Sequence, residues 1–292
     1  MRLLPGDPLL MLMSKEQIST YSEEQLAELR YQYGLDKPVV MQYFDWCANA
    51  LRGDFGTSIA YGDTVTNLLV HRIPITLHVG LLAFIVSQLG GILTGIISAV
   101  RRGTWLDTFI TTLANIGITI PIFWLGVVLV YIFAVYLNWL PVMGYTSPFD
   151  DFVLSTKKLI MPVFCMAIGT MAWSARQTRS SMLEIIQQDY IRTAWSKGLN
   201  ERTVIMRHSI KNAFGPVITM AGLGLSTIIG GTVLVETVFN IPGMGRLVVS
   251  GITNRDYPLI QGAIMVIAAS VIFINLMIDF AYSWLDPRIR YS

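Results

Sequence analysis

The chain has 292 residues, 53% of them hydrophobic and only 14% charged, with a formal net charge of +2. A soluble domain carries nearer a quarter charged residues, so this chain lacks the polar surface needed to face water. Disordered, collagen-like and disulfide-framework classes are excluded, as is a strongly basic nucleic-acid binder, and an integral membrane protein remains.

Residues 1–75 are polar and mixed in charge. Ser22-Glu23-Glu24-Gln25 reads as a capping box that opens a short helix, with Leu26, Leu29 and Tyr33 on one face and Gly34 as its stop. Val39, Val40, Tyr43, Phe44, Cys47 and Leu51 mark a second, amphipathic helix started by Pro38 and ended by Gly53. It either lies on the membrane surface or packs on the rest of the chain, and packing is the expectation. An external segment of this length without a signal peptide implies either a transmembrane helix ahead of it or a start assigned internally, and the helix is the expectation.

A bilayer core about 30 Å thick takes about 20 mostly apolar helical residues to cross. Five segments meet that need: about Thr76–Val100, Thr108–Leu137, Leu159–Ala175, Ala213–Val235 and Leu259–Leu285. Together with the expected first helix they would make six. None has Lys or Arg in its middle, and β-barrel alternation is absent. The polar interruptions are Gln88, Asn115, Asn275 and Asp279, the last two read as hydrogen-bond glue between helices. Gly91 and Gly95, and Gly222, Ser226 and Gly230, recur every fourth residue and predict close helix–helix packing.

Lys and Arg collect in the Arg101-Arg102 turn, in the loop of about 176–212, and in the tail with Arg288 and Arg290. Alternating spans place all three on one side, which the positive-inside rule makes cytoplasmic. The C-terminus is then cytoplasmic, and residues 1–75 and the loops of about 138–158 and 236–258 are external.

The sequence has no phosphate-binding loop, no His-Glu-x-x-His, no nucleophile elbow and no dinucleotide fingerprint. Cys47, Cys165, His71, His78 and His208 form no metal-ligand pattern. The most informative stretch runs from Asp189 to Leu199. Asp189 is a fitting N-cap, Gly198 a fitting C′ residue, and Ile191, Ala194 and Trp195 form an apolar ridge on a helix of two turns. So short a helix is marginal alone in water, so the ridge needs a groove on a partner or a seat at the membrane. Physics alone leaves these two readings open.

Asp189 through Leu199, followed by Arg207-His208-Ser209-Ile210-Lys211-Asn212-Ala213 and Pro216, resembles the EAA loop of ABC-transporter permeases. It is closest to the version in dipeptide, oligopeptide and nickel importers. Asp189 and Thr193 stand where other branches carry the acidic and alanine positions of the name-giving pattern. Leu3-Leu4-Pro5-Gly6-Asp7-Pro8, Arg52-Gly53-Asp54-Phe55-Gly56, the stretch Glu236–Arg246 with Pro242, Gly243 and Gly245, Arg255-Asp256-Tyr257-Pro258 and Asp286-Pro287-Arg288 are also similar to that family, in the same order.

The resemblance implies an all-α integral membrane protein of the type I importer kind, with an external segment at 1–75 and a permease domain at 76–292. It implies a multi-pass subunit of the cytoplasmic membrane that imports peptides, with nickel or a nickel chelate as the alternative substrate. An intramembrane enzyme or a scaffold is the reading from a different class, and no paired catalytic constellation favours it. Asp189, Tyr190, Arg192, Thr193, Ala194, Lys197, Gly198 and Leu199 would couple to ATPase subunits. Glu236, Pro242, Gly243, Gly245 and Asp256 are candidates for the external docking loops. The implied partners are a homologous second permease, two ATPase subunits that hold the ATP and Mg, an extracytoplasmic solute-binding protein and membrane lipid. The chain itself would hold no cofactor or metal, catalyse no reaction and bind no nucleic acid.

Overall fold

A computed structural model describes residues 21–32, 36–230 and 232–285, in some helices by the backbone alone. The described residues form helices and one isolated bridge between Thr57 and Thr64. The chain divides into two compact units, residues 1–74 with 246–268 and residues 75–245 with 269–292.

The first unit begins with α1 (Glu23–Gln32) and α2 (Val39–Leu51). The capping box forms reciprocally: Ser22 N–H donates to Gln25 Oε1 at 2.9 Å and Gln25 N–H to Ser22 Oγ at 3.3 Å. Tyr33 and the expected stop at Gly34 lie outside the described residues. Pro38 precedes the first residue of α2 as expected. The apolar stripe of α2 is not packed, however. Val40, Tyr43, Phe44 and Leu51 are exposed, while Gln42 is buried and its Nε2 donates to Lys37 O at 2.7 Å. The buried residues of α2 are Gln42 and Ala50, not the apolar stripe, and the expected packing role is corrected accordingly.

The long helices are α3 (Val65–Val100), α4 (Trp105–Thr119), α5 (Ile122–Leu129, continued as a π turn over Val130–Tyr136) and α6 (Phe152–Ile186). Then come α7 (Asp189–Ser196), α8 (Glu201–Thr203) with a π turn over Val204–Ser209, and α9 (Ile210–Gly230). The chain closes with α10 (Thr232–Val238), α11 (Met244–Thr253) and α12 (Tyr257–Leu285).

By length and hydropathy, α3, α6 and residues 257–278 of α12 can each cross a membrane. The span expected at 108–137 is instead two helices bent by 104°. The cause is Pro121: it offers no N–H and drives Ile120 out of the helical region, to φ −68° and ψ 126°. If the bent pair counts as one span there are four among the described residues. The span expected at 213–235 falls on α9 and α10, where residue 231 and several side chains are outside the description. α6 starts earlier than expected, with Asp151 Oδ1 accepting from Leu154 N–H at 2.9 Å.

In the second unit α3, α6 and α4 pack through small residues. A side chain at Gly91 would meet Ser174 and the Met171 carbonyl, and one at Gly95 would meet Thr178 and the Ala175 carbonyl, so the backbones of α3 and α6 are close. Gly117 of α4 faces Ile168 and Ala172 of α6, and Gly222 of α9 faces Ile278 of α12. The surroundings of Ser226, Gly230 and Asp279 lie outside the described residues. The core of this unit gathers Val79, Ala83, Leu159, Met161, Cys165, Phe239 and Ile241.

Candidate functional site

The segment expected to couple is α7 with its flanking turns. Its N-cap is Gln188 (φ −71°, ψ 148°), and Asp189 is the first helical residue rather than the cap. There its carboxylate still meets the positive end of the helix dipole, and it pairs with Arg192 at 3.6 Å with both side chains exposed. The C-terminal end follows the sequence. Gly198 adopts φ +75°, its N–H donates to Trp195 O at 2.9 Å, and Leu199 N–H reaches Ala194 O at 3.4 Å. These two bonds make a Schellman closure, which a left-handed C′ residue permits.

The ridge of α7 is divided. Ile191 and Ala194 are buried against Val204 and Ile185 of the same chain, while Trp195 stays half-exposed. The groove that the ridge needs is thus in part the chain's own, on Val204 and Ile185. What α7 presents outward is Tyr190, Arg192, Thr193, Trp195, Ser196 and Lys197. Tyr190 Oη accepts from Asn212 Nδ2 at 3.2 Å, and the same amide group donates to His208 O at 2.8 Å, which ties α7 to the base of α9. Asn200 caps α8, its Oδ1 accepting from Thr203 N–H at 2.9 Å. The π turn that follows gives no signal in the sequence; Ser209 Oγ donates to Val204 O at 3.2 Å across it.

An ion pair between α4 and α6 escaped the sequence analysis. The Arg179 guanidinium forks onto Asp107, Nε to Oδ1 at 2.8 Å and Nη2 to Oδ2 at 2.9 Å. Ser98 Oγ and Gly103 N–H donate to the same carboxylate, which is buried. Thr104-x-x-Asp107 is a visible helix-start pattern, but the partner lies 72 residues away. Arg179 is thus a structural cation, not one of the free positive charges of the 176–212 loop.

The loop after α10 is organised around Glu236, which is 1% exposed. Thr76 Oγ1 donates to Glu236 Oε1 at 2.7 Å and accepts from Met244 N–H at 2.8 Å, while Ile241 N–H donates to Glu236 O at 2.8 Å. A Cβ at Gly243 would fall on the Glu236 carboxylate, and one at Gly245 on the Val233 backbone. Glu236, Gly243 and Gly245 are buried and Pro242 is half-buried, so these residues shape the loop from within. In the first unit Asp256, also buried, accepts from Ser58 Oγ, from Ala60 N–H at 3.0 Å and from Leu259 N–H at 3.2 Å, and so caps α12.

Residues 91–291 match the family described as binding-protein-dependent transport system inner membrane component. A probable peptide ABC transporter permease, y4tP of Sinorhizobium fredii, is 40% identical over 291 residues, covering all of this chain and 92% of the relative. The di/tripeptide transport system permease DppB of Pseudomonas aeruginosa is 35% identical over 311 residues, again with 100% and 92% covered. Among solved structures, an inward-facing MetNI methionine ABC transporter chain superposes with a TM-score of 0.61 at 17% identity, covering 75% of this chain and 96% of that one. An amino acid ABC transporter chain does so at 0.53 and 15% identity, with 77% and 95% covered; at these identities the likeness is one of fold. With a family match over most of its length and relatives matched over all of this chain and 92% of their own length, the chain belongs to the inner-membrane permease subunits of binding-protein-dependent ABC transporters, and its role is transport, not catalysis.

Proposed function

We propose that this subunit forms part of the path of an ATP-driven peptide importer and that Asp189–Leu199 is its contact with a separate ATPase subunit. Full-length relatives named for peptide transport support the substrate, and on that ground peptide is preferred to nickel. The Lys and Arg excess in the 176–212 loop supports a cytoplasmic loop and C-terminus, with residues 1–75 and the 236–258 loop outside.

The coupling role rests on how α7 is held. Ile191 and Ala194 root it on the chain's own Val204, Tyr190 ties it to Asn212, and Gly198 closes it. Tyr190, Arg192 and Lys197 then stand exposed on a fixed knob, so a push on the knob is passed to the ends of α6 and α9. Two ATPase subunits holding ATP and Mg would drive that push, a second permease would complete the path, and an external binding protein would deliver the peptide. Alternating access is then a rigid-body movement of helix bundles.

The test is reconstitution of this subunit with its partner permease and ATPases in proteoliposomes, with binding protein at the external face. Labelled di- and tripeptides should accumulate only with ATP. Accumulation of nickel without peptide would overturn the substrate reading. ATP turnover by this subunit alone would overturn the division of labour.

A further inference from the structure

In the second unit, a cavity of about 420 Å³ opens between α4 and α6, lined by Thr111 and Asn115 on one side and Trp173, Arg176, Gln177 and Arg179 on the other. Its two guanidinium groups differ. That of Arg179 is neutralised by the buried Asp107, whereas Arg176, exposed, has no ion pair among the described residues. Among the described residues no acidic side chain lines the cavity. The Asn115 side-chain amide likewise has no hydrogen-bond partner among the described residues. The cavity lies at the cytoplasmic end of α4 and α6, where Arg176 begins the basic 176–212 stretch, and its Asn115 amide, set further along the apolar α4, is the polar group that lipid tails would not satisfy.

Two of the lining residues, Thr111 and Asn115, belong to a row of polar residues on α4. Thr108, Thr111, Thr112, Asn115 and Thr119 recur at three- and four-residue spacing, all exposed, along one face of α4. Phe109, Leu113 and Ile116 form a separate exposed apolar face, and Asp107 and Gly117 turn inward. The hydroxyls of Thr108, Thr112 and Thr119 donate to carbonyls of α4 or of its N-cap Thr104, and Thr111 reaches Asp107 Oδ1, so the polar group of this row left for a ligand is the Asn115 amide.

We propose that this cavity holds the carboxylate of the transported peptide, with Arg176 as the charged donor, Asn115 as the neutral donor and Trp173 as the flat surface beside it. The inference rests on the peptide reading given above. Arginine suits the task because its planar fork matches a carboxylate and stays charged.

The test uses the assembled permease–ATPase complex in nanodiscs, nucleotide-free and without binding protein. The probes are a labelled alanyl tripeptide with a free C-terminus and the same tripeptide as its C-terminal amide. The acid should bind about ten-fold more tightly than the amide, as a charge-assisted pair implies. Arg176→Gln should remove that preference, Arg176→Lys should keep part of it, and Asn115→Asp should weaken the acid selectively. Lys157→Gln, away from the cavity, should change nothing.

Equal binding of acid and amide to the wild type, or a preference that survives Arg176→Gln, overturns the site. Stabilisation by anionic phospholipid that Arg176→Gln removes, with peptide binding unchanged, overturns it in favour of a lipid headgroup. Failure of the complete wild-type transporter to import any peptide overturns the reading beneath and this site with it. Import without an acid–amide difference overturns this site alone.

Discussion

Two short segments of the second unit finish long helices and are held by opposite means. α7 is seated by apolar side chains, Ile191 and Ala194, with Tyr190 tied to Asn212, and leaves Arg192 and Lys197 exposed. The turn after α10 is seated by a carboxylate, Glu236, around which Thr76, Met244 and Gly243 close. An apolar seat is non-directional and roughly additive in buried area. A buried carboxylate fixes angles as well as distances, and removing its partners leaves a costly unsatisfied group. The apolar seat and the Tyr190–Asn212 bond thus hold α7 on its neighbours without fixing a shape of its own, whereas the carboxylate gives the loop one shape that it keeps or loses.

The largest expected effect tests the apolar seat. Ile191→Ala removes a fully buried side chain, a change that costs about 2–5 kcal/mol where the site cannot collapse. Because α7 can detach locally, this loss should spare the thermal midpoint of the purified subunit in detergent and should instead cut recovery of the ATPase subunits. A lowered midpoint with normal ATPase recovery would mean that α7 belongs to the cooperative core and is not an independent knob.

The loop should answer in the opposite way. Gly243→Ala places a methyl group where the Glu236 carboxylate lies, and overpacking of this kind costs about 1–3 kcal/mol. The thermal midpoint should fall while ATPase recovery is unchanged. Combining it with Glu236→Ala should cost less than the sum of the two, since the second change vacates the space the first invades. Strict additivity would show that the two groups do not meet in the protein.

What the sequence made legible follows the same division. Ser22 with Gln25, Pro38 before α2, and Gly198 after α7 are local devices, whose partners sit within a few residues, and each was read correctly. Pro121 was visible but was read through as part of one apolar run, since hydropathy carries no information on backbone angle. Asp107 with Arg179, and Thr76 with Glu236, join residues 72 and 160 positions apart. Nothing in either local pattern names the partner. The two π turns lack any compositional mark, and the outward stripe of α2 runs against the amphipathic pattern that its residues spell out.

A smaller effect is expected at the end of α7. Gly198 has φ +75° with open space around it, so a substitution meets backbone strain and no clash. Gly198→Val should cost about 1–2 kcal/mol, as left-handed geometry does for a residue with a Cβ. The Schellman bonds from Gly198 and Leu199 would open, and α7 would fray from Lys197 backward. Uptake of labelled peptide should fall with membrane insertion intact. Gly198→Asn, which tolerates the same region better, should recover most of it; equal uptake by glycine, asparagine and valine would remove the closure from the coupling mechanism.

The smallest effect separates charge from shape on the knob. Arg192 and Asp189 form an ion pair at 3.6 Å with 74% and 96% of their side chains exposed, in a geometry where such pairs contribute about 1 kcal/mol or less. Arg192→Glu removes that pair and sets two acids side by side on the first turns of α7. The fold of α7 should survive, because Ile191 and Ala194 still hold it. Any loss in ATPase recovery then reports on a charged contact with the partner itself. Such a loss should shrink as salt is raised, since exposed charges are screened within a Debye length of about 8 Å at physiological ionic strength. Adding Asp189→Lys restores an opposite-charge pair in reversed order. If the double variant recovers ATPase binding, the pair matters to the helix alone; if it does not, Arg192 meets an acid on the ATPase, and the knob is recognised by its charge as well as by its shape.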